Sequence, residues 1–117
     1  MPEIVKVNTD NINREIIEKS QHRLILLDIS ADWCAPCRVL DPVLEKIAHE
    51  FKGKLILGKV EAEDENMKIA GQYNVRGFPT VIALYQGEEL ARFHGAKSFS
   101  FIKEFVEKNL SVIKTPA

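Results

Sequence analysis

The chain has 117 residues, 45% of them hydrophobic and 28% charged, with a formal net charge of -1. That is the make-up of one ordinary globular domain, long enough to bury a core without staples. No block of like charges offers a footprint for nucleic acid or an anionic membrane, and no apolar run approaches the ~20 residues that span a bilayer.

The first seven residues lack the apolar stretch of a secretory signal, so the expected location is the cytoplasm. Residues 3–7 predict a short strand. Thr9, Asp10 and Asn11 are helix-capping residue types. They precede Ile12, Ile16 and Ile17 at helical spacing, which predicts a first helix to about Lys19 and a turn over residues 20–22. Residues 24–30 form a nearly continuous apolar run, the pattern of a central strand covered on both faces. A second helix starts near Cys34, with Leu40, Val43, Leu44, Ile47 and Phe51 on one stripe. Pro36 is tolerated in its first turn, where the missing N–H is not needed. Pro42 lies inside it, and Lys52-Gly53 ends it.

Residues 55–61 predict a third strand, and residues 63–66 the capped start of a helix running to about Tyr73. After a loop over 74–79 come strands over 80–85 and 89–94, joined by the tight turn Gln86-Gly87-Glu88 as a hairpin. Gly95 breaks the pattern. Ser98 caps a last helix with Phe99, Ile102, Phe105, Val106 and Leu110 on one face. The domain is expected to span residues 1–110, with 111–117 a tail or the start of a linker. The order β-α-β-α-β-α-β-β-α implies an α/β domain with a mixed sheet and helices on both faces.

The chemistry centres on Cys34 and Cys37, the only two cysteines, beside Trp33, the only tryptophan. A bridge this short constrains almost none of the unfolded chain, so the pair serves reactivity or a metal. At a helix N-terminus, unpaired N–H groups and the macrodipole favour a thiolate. Cys34 is therefore the attacking sulfur and Cys37 the resolving one. A zinc half-site is the rival. It needs two further ligands, usually a second close pair, whereas His22, His49 and His94 are scattered singly. Asp28 interrupts an apolar strand and shares a face with Leu24, Leu26 and Ser30. It is either a buried proton shuttle with a raised pKa or a strand-end carboxylate facing water. Lys59 is either its partner on an adjacent strand or a snorkelling edge lysine. Pro79, at the start of a strand, is compatible with a cis or a trans peptide bond.

Together these residues resemble the thioredoxin family over about residues 5–110. The resemblance rests on Asp28, Trp33-Cys34-x-Pro36-Cys37, Pro42, Lys59, Val75-Arg76-Gly77-Phe78-Pro79-Thr80, the Gly87 turn and Gly95. It implies a five-stranded mixed sheet in the order β1-β3-β2-β4-β5 flanked by four helices. It also implies a buried Asp28 near Cys37 with Lys59 close by, and a cis Pro79 against the active site. The implied activity is that of a protein-disulfide reductase, an electron carrier in cell redox homeostasis. Cys34 attacks a substrate disulfide; Asp28, through a water, helps deprotonate Cys37; Cys37 then resolves the mixed disulfide. Lys59 belongs to this catalytic set. Trp33, Pro36, Val75, Gly77, Phe78, Pro79 and Gly95, with Ala96, form the implied docking surface. No cofactor or metal is implied beyond a reversible Cys34–Cys37 disulfide. The implied partners are thioredoxin reductase and disulfide-containing proteins, and the chain is expected to be a monomer. Three positions depart from the family pattern: Ala35 stands where glycine is usual, Ser30 where an aromatic is common and His94 where an apolar residue is frequent. The other readings are a thioredoxin-like domain of a longer chain acting as a redox-linked chaperone or docking module, and an oxidase or isomerase of disulfides.

Overall fold

The computed structural model describes residues 1–114. Strands β1 (Glu3–Lys6), β2 (Leu24–Ser30), β3 (Leu55–Glu61), β4 (Thr80–Tyr85) and β5 (Glu88–His94) form one five-stranded sheet in the order β1-β3-β2-β4-β5. β3 runs parallel to β1 and to β2. β4 runs antiparallel to β2 and to β5. This is the mixed sheet that the alternation of elements implies.

β2 is the central strand, which explains its apolar composition. Alternate residues of a strand face opposite sides, and both sides of β2 are covered. Leu24 and Leu26 pack with Leu40, Leu44 and Ile47 of α1 (Ala35–Glu50) and with Ile102 and Val106 of α3 (Phe99–Lys114). Ile25, Leu27 and Ile29 pack on the other side with Ile12, Ile16 and Ile69, the last from α2 (Met67–Gln72). Each fully buried Leu or Ile contributes about 1.5–3 kcal/mol relative to exposure. Asp28 falls on the α1 side by the same alternation.

Three details differ from the sequence expectation. The first of the four helices is a π-helical segment, Asn13–Ile17, followed by a 3-10 turn at Lys19–Gln21. The Glu18 N–H bonds to the Asn13 carbonyl, five residues back, and this wider turn still lays Ile12 and Ile16 on the sheet. The turn leading into it is held by Asn8 and Asn11, whose side-chain oxygens accept the backbone N–H groups of Asp10 and Asn11 and of Asn8 respectively, while the segment itself carries no side-chain cap. Before α2, residues Asp64–Asn66 form a 3-10 turn, so the α-helix itself is short. At the C-terminal end α3 continues to Lys114. Residues 111–114 are thus helix rather than tail. Ile113 lies three residues beyond Leu110 on the apolar stripe and packs against the α1–α3 core. The rest of the expected tail, residues 115–117, lies outside the described residues. α1 runs on through Pro42, as its apolar stripe requires.

One glycine sets how closely the π-helical segment approaches the sheet. A Cβ on Gly58 would lie 2.6 Å from Ile16 Cδ1 and 3.1 Å from Val7 Cγ2. Gly58→Ala is therefore expected to overpack this layer, at a cost of about 1–3 kcal/mol. Urea unfolding measures the loss. Adding Ile16→Val, which deletes the clashing methyl, should make the second substitution cheaper than it is in the unaltered chain.

Candidate active site

The site is built where β2 hands over to α1. Cys34 is the N-cap of α1, with extended backbone angles, φ -93° and ψ 111°. Pro36 occupies the first turn at no hydrogen-bonding cost. The turn brings the Cys37 N–H to 3.2 Å from Cys34 Sγ, which accepts it. One of the orphan donors of the helix end thereby points at the Cys34 sulfur, and donor and macrodipole together favour negative charge there. The two cysteines are joined as a disulfide, with Cα atoms 5.3 Å apart. Both are buried, in a small cluster with Ala31 and the side chain of Phe78. Among the described residues no three His, Cys, Asp or Glu side chains are grouped so as to hold a metal ion.

Asp28 lines the same cavity as Cys37. Only 4% of it is exposed, and its Oδ1 is buried without a hydrogen-bond partner among the described residues. Of the two readings open at the sequence level, the strand-end carboxylate facing water is therefore wrong. Burial, with a smaller push from the Asp41 charge, raises the Asp28 pKa to about 7, while Lys59 pulls the other way. Near neutral pH the carboxyl can take or give a proton.

Lys59 stands next to Asp28 in the β2–β3 register, but its ion pairs lie elsewhere. Its Nζ sits 2.7 Å from Asp41 Oδ1 and 2.6 Å from Glu45 Oε2. Asp41 and Glu45 are one helical turn apart on α1, over the end of β3, and both are half-exposed. A half-solvated pair of carboxylates holds an ammonium more readily than a desolvated, largely protonated one. Partial burial works against the charged lysine, but the hydrogen bonds to Asp41 and Glu45 outweigh it and lift its pKa above the usual value. A cavity of about 540 Å³, lined by Asp28, Ser30, Cys37, Asp41 and Lys59 among others, opens the site toward the β1–β3 side. Ser30, one of the departures from the family pattern, contributes a small wall there.

On the opposite flank lies the loop before β4. The Phe78–Pro79 peptide is cis. Thr80 Oγ1 donates to the Gly77 carbonyl at 2.8 Å, and the Gly95 N–H donates to the Pro79 carbonyl at 2.9 Å. Trp33 is 75% exposed and meets the Phe78 ring edge-on, with centroids 5.8 Å apart. Pro36 and Gly77 are exposed, whereas Val75 and Phe78 are partly buried against the α2-side core. His94 Nδ1 lies 3.1 Å from Thr80 Oγ1. The threonine proton is already committed to Gly77, so the imidazole Nδ1–H is the donor. His94 is exposed, yet its ring is tied to the cis-proline loop.

Three participants escaped the sequence reading: Asp41, Glu45 and the Thr80–His94 contact. The only available signal for the first two was an acidic pair at i, i+4 in α1, which on its own describes an ordinary solvated helix face.

A cysteine pair at a helix N-cap, sharing a cavity with a buried carboxyl and lying beside a cis-proline loop, on this sheet, defines a thiol–disulfide oxidoreductase. The thioredoxin family model matches residues 3–108, and the chain belongs to that family. It is 34% identical over 110 residues to a thioredoxin of Buchnera aphidicola subsp. Schizaphis graminum, covering 94% of this chain and 99% of the relative. A thioredoxin of Chlamydia pneumoniae is 41% identical over 86 residues, covering 74% of this chain and 82% of the relative. A thioredoxin of Chlorobaculum thiosulfatiphilum is 34% identical over 100 residues, covering 86% and 90%. The chemistry of the chain is thiol–disulfide exchange through Cys34 and Cys37.

Asp28 makes stability depend on pH. Between the ordinary 3.8 and about 7, the folded chain binds a proton that the unfolded chain has released, so stability falls as pH rises through that window. Above it the penalty is full, roughly 4 kcal/mol for a gap of that size. Asp28→Asn should therefore raise the melting temperature markedly at pH 8 and little at pH 4. Calorimetry at both values checks it.

Proposed function

We propose that the chain is a protein-disulfide reductase in which each of the predicted site residues has a definite role. The Cys34 thiolate attacks one sulfur of a substrate disulfide. A Cys34–substrate disulfide forms, and the other substrate sulfur leaves and takes a proton. Cys37 then passes its proton to the Asp28 carboxylate and attacks Cys34 Sγ. The Cys34–Cys37 disulfide forms, and the second substrate thiol is released. The substrate gains two electrons and the cysteine pair loses them. No other redox group is required. The observation that carries this assignment is the Cys37 N–H directed at Cys34 Sγ, with Cys37 lining the same cavity as the buried Asp28.

The substrate is an extended protein segment laid along Phe78-Pro79. Trp33, Pro36 and Gly77 give an exposed, largely apolar docking surface, with Val75 and Gly95 at its edge. Lys59 acts through the local field at Asp28 rather than through contact with substrate. The oxidised pair is returned to the dithiol by thioredoxin reductase. No helix among the described residues is long and apolar enough to cross a membrane, and the cytoplasm, where thiols are kept reduced, is the compartment that suits a reductase.

Stopped-flow reduction of a protein disulfide tests the roles. Cys34→Ser should abolish turnover. Cys37→Ser should stop at a trapped mixed disulfide, and Asp28→Asn should slow resolution about 100-fold, the lower end of what a positioned base supplies. Full activity of Cys34→Ser overturns the assignment. Titration against a glutathione buffer should place the couple among the reducing proteins despite Ala35, and a strongly oxidising potential would make it a disulfide-forming enzyme instead.

A further inference from the structure

The ion pairs of Lys59 raise a question that the exchange mechanism leaves unanswered. β2 and β3 place Lys59 and Asp28 side by side in register. Yet the ammonium is held at 2.7 Å by Asp41 and 2.6 Å by Glu45, and the buried Asp28 Oδ1 has no hydrogen-bond partner among the described residues. The lysine faces a choice between two sets of carboxylates, and α1 supplies the set that wins.

We propose that Asp41, seconded by Glu45, is a positioning residue for the resolving step: by holding the Lys59 ammonium on the helix side, it leaves Asp28 without a counter-ion and sets the pH at which Asp28 accepts the Cys37 proton. The inference rests on the reading of Asp28 as that acceptor. Three features support it. Asp41, Lys59, Asp28 and Cys37 all line one cavity, so the lysine has open space toward Asp28 rather than packed side chains in its way. The Asp41 carboxylate also acts directly, as a like charge that disfavours ionisation of Asp28, whereas Lys59 favours it. Both effects of Asp41 have the same sign. The remaining charged groups around the cavity are Lys6, Asp32, Arg38 and Glu61. They are of mixed sign, and Asp41 and Lys59 are the two whose charge is felt at Asp28.

The test is a carboxyl-carbon NMR titration of Asp28 in the reduced protein. It compares the unaltered chain, Asp41→Asn, Lys59→Met and the double variant. Asp41→Asn should lower the Asp28 midpoint by about half a pH unit or more. Lys59→Met should raise it. In the double variant the fall caused by Asp41→Asn should shrink, because the lysine it releases is gone. Glu45→Gln, on the same half-exposed helix face, should act in the same direction as Asp41→Asn and serves if that variant folds poorly. An unmoved midpoint in both Asp41→Asn and Glu45→Gln overturns the proposal. A fall of equal size with and without Lys59 overturns the holding role. The acid limb of the rate of mixed-disulfide resolution should shift with the midpoint, and a midpoint that moves without the limb overturns the link to the resolving step. If Asp28→Asn leaves resolution at full speed, the acceptor reading itself is wrong, and the NMR titration still decides separately whether Asp41 holds Lys59.

Discussion

The constraint on which this molecule depends is that β2 is covered on both faces. A strand in that position is largely withdrawn from water on both sides, so its side chains are apolar or costly to ionise. Leu24 to Leu27 and Ile29 meet that condition by composition. Asp28 meets it by holding its proton up to about pH 7. The same desolvation that makes an ionised Asp28 expensive brings its pKa into the range where proton transfer is useful. Burial of the central strand, the main source of the fold's stability, is therefore also what makes this carboxylate chemically competent.

The reactive pair depends on the same handover. Where β2 ends, the chain turns into α1 with Cys34 as the half-in residue, and the helix end has donors to spare. Cys37 lies one turn in, so its amide serves the Cys34 sulfur while its own sulfur lies within bonding reach. The sheet fixes where β2 stops, the helix fixes the spacing of the two sulfurs, and the loop before β4 closes over them through Phe78. Electrostatics decides between the two carboxylate sites available to Lys59. The half-solvated pair on α1 binds the ammonium because ionisation there is cheap, and the buried site holds its proton to a higher pH because ionisation there is not.

Much of this was legible in the residues. Strand limits were clear wherever an apolar run met a turn signal, as at Leu24 and Gly87. The alternation in β2 by itself places Asp28 on the same face as Leu24 and Leu26. The illegible parts share one cause: they depend on distances between segments far apart in the chain. An apolar spacing of three and four does not separate an α-helix from a π-helical segment, and the close approach at Gly58 is visible only once Ile16 is laid on β3. Lys59 had a visible candidate partner in Asp28 and a better one in Asp41, 18 positions upstream on another element. The end of α3 was set by Ile113, which packs on the core while its neighbour Val112 stays exposed, and that packing outweighs local propensity.

The cavity beneath the cysteines opens toward the β1–β3 side, past Lys6, Asn8 and Asn66. The cis-proline loop and Trp33 lie on the other flank, toward β4 and β5. In the proposed mechanism large cargo and protons therefore use separate doors. A client seated on the proposed docking surface across Trp33 and Phe78 would lie on the other flank from the opening that Asp28 lines. In the proposed mechanism the carboxyl can pass the proton taken from Cys37 on to solvent while the client is still covalently attached.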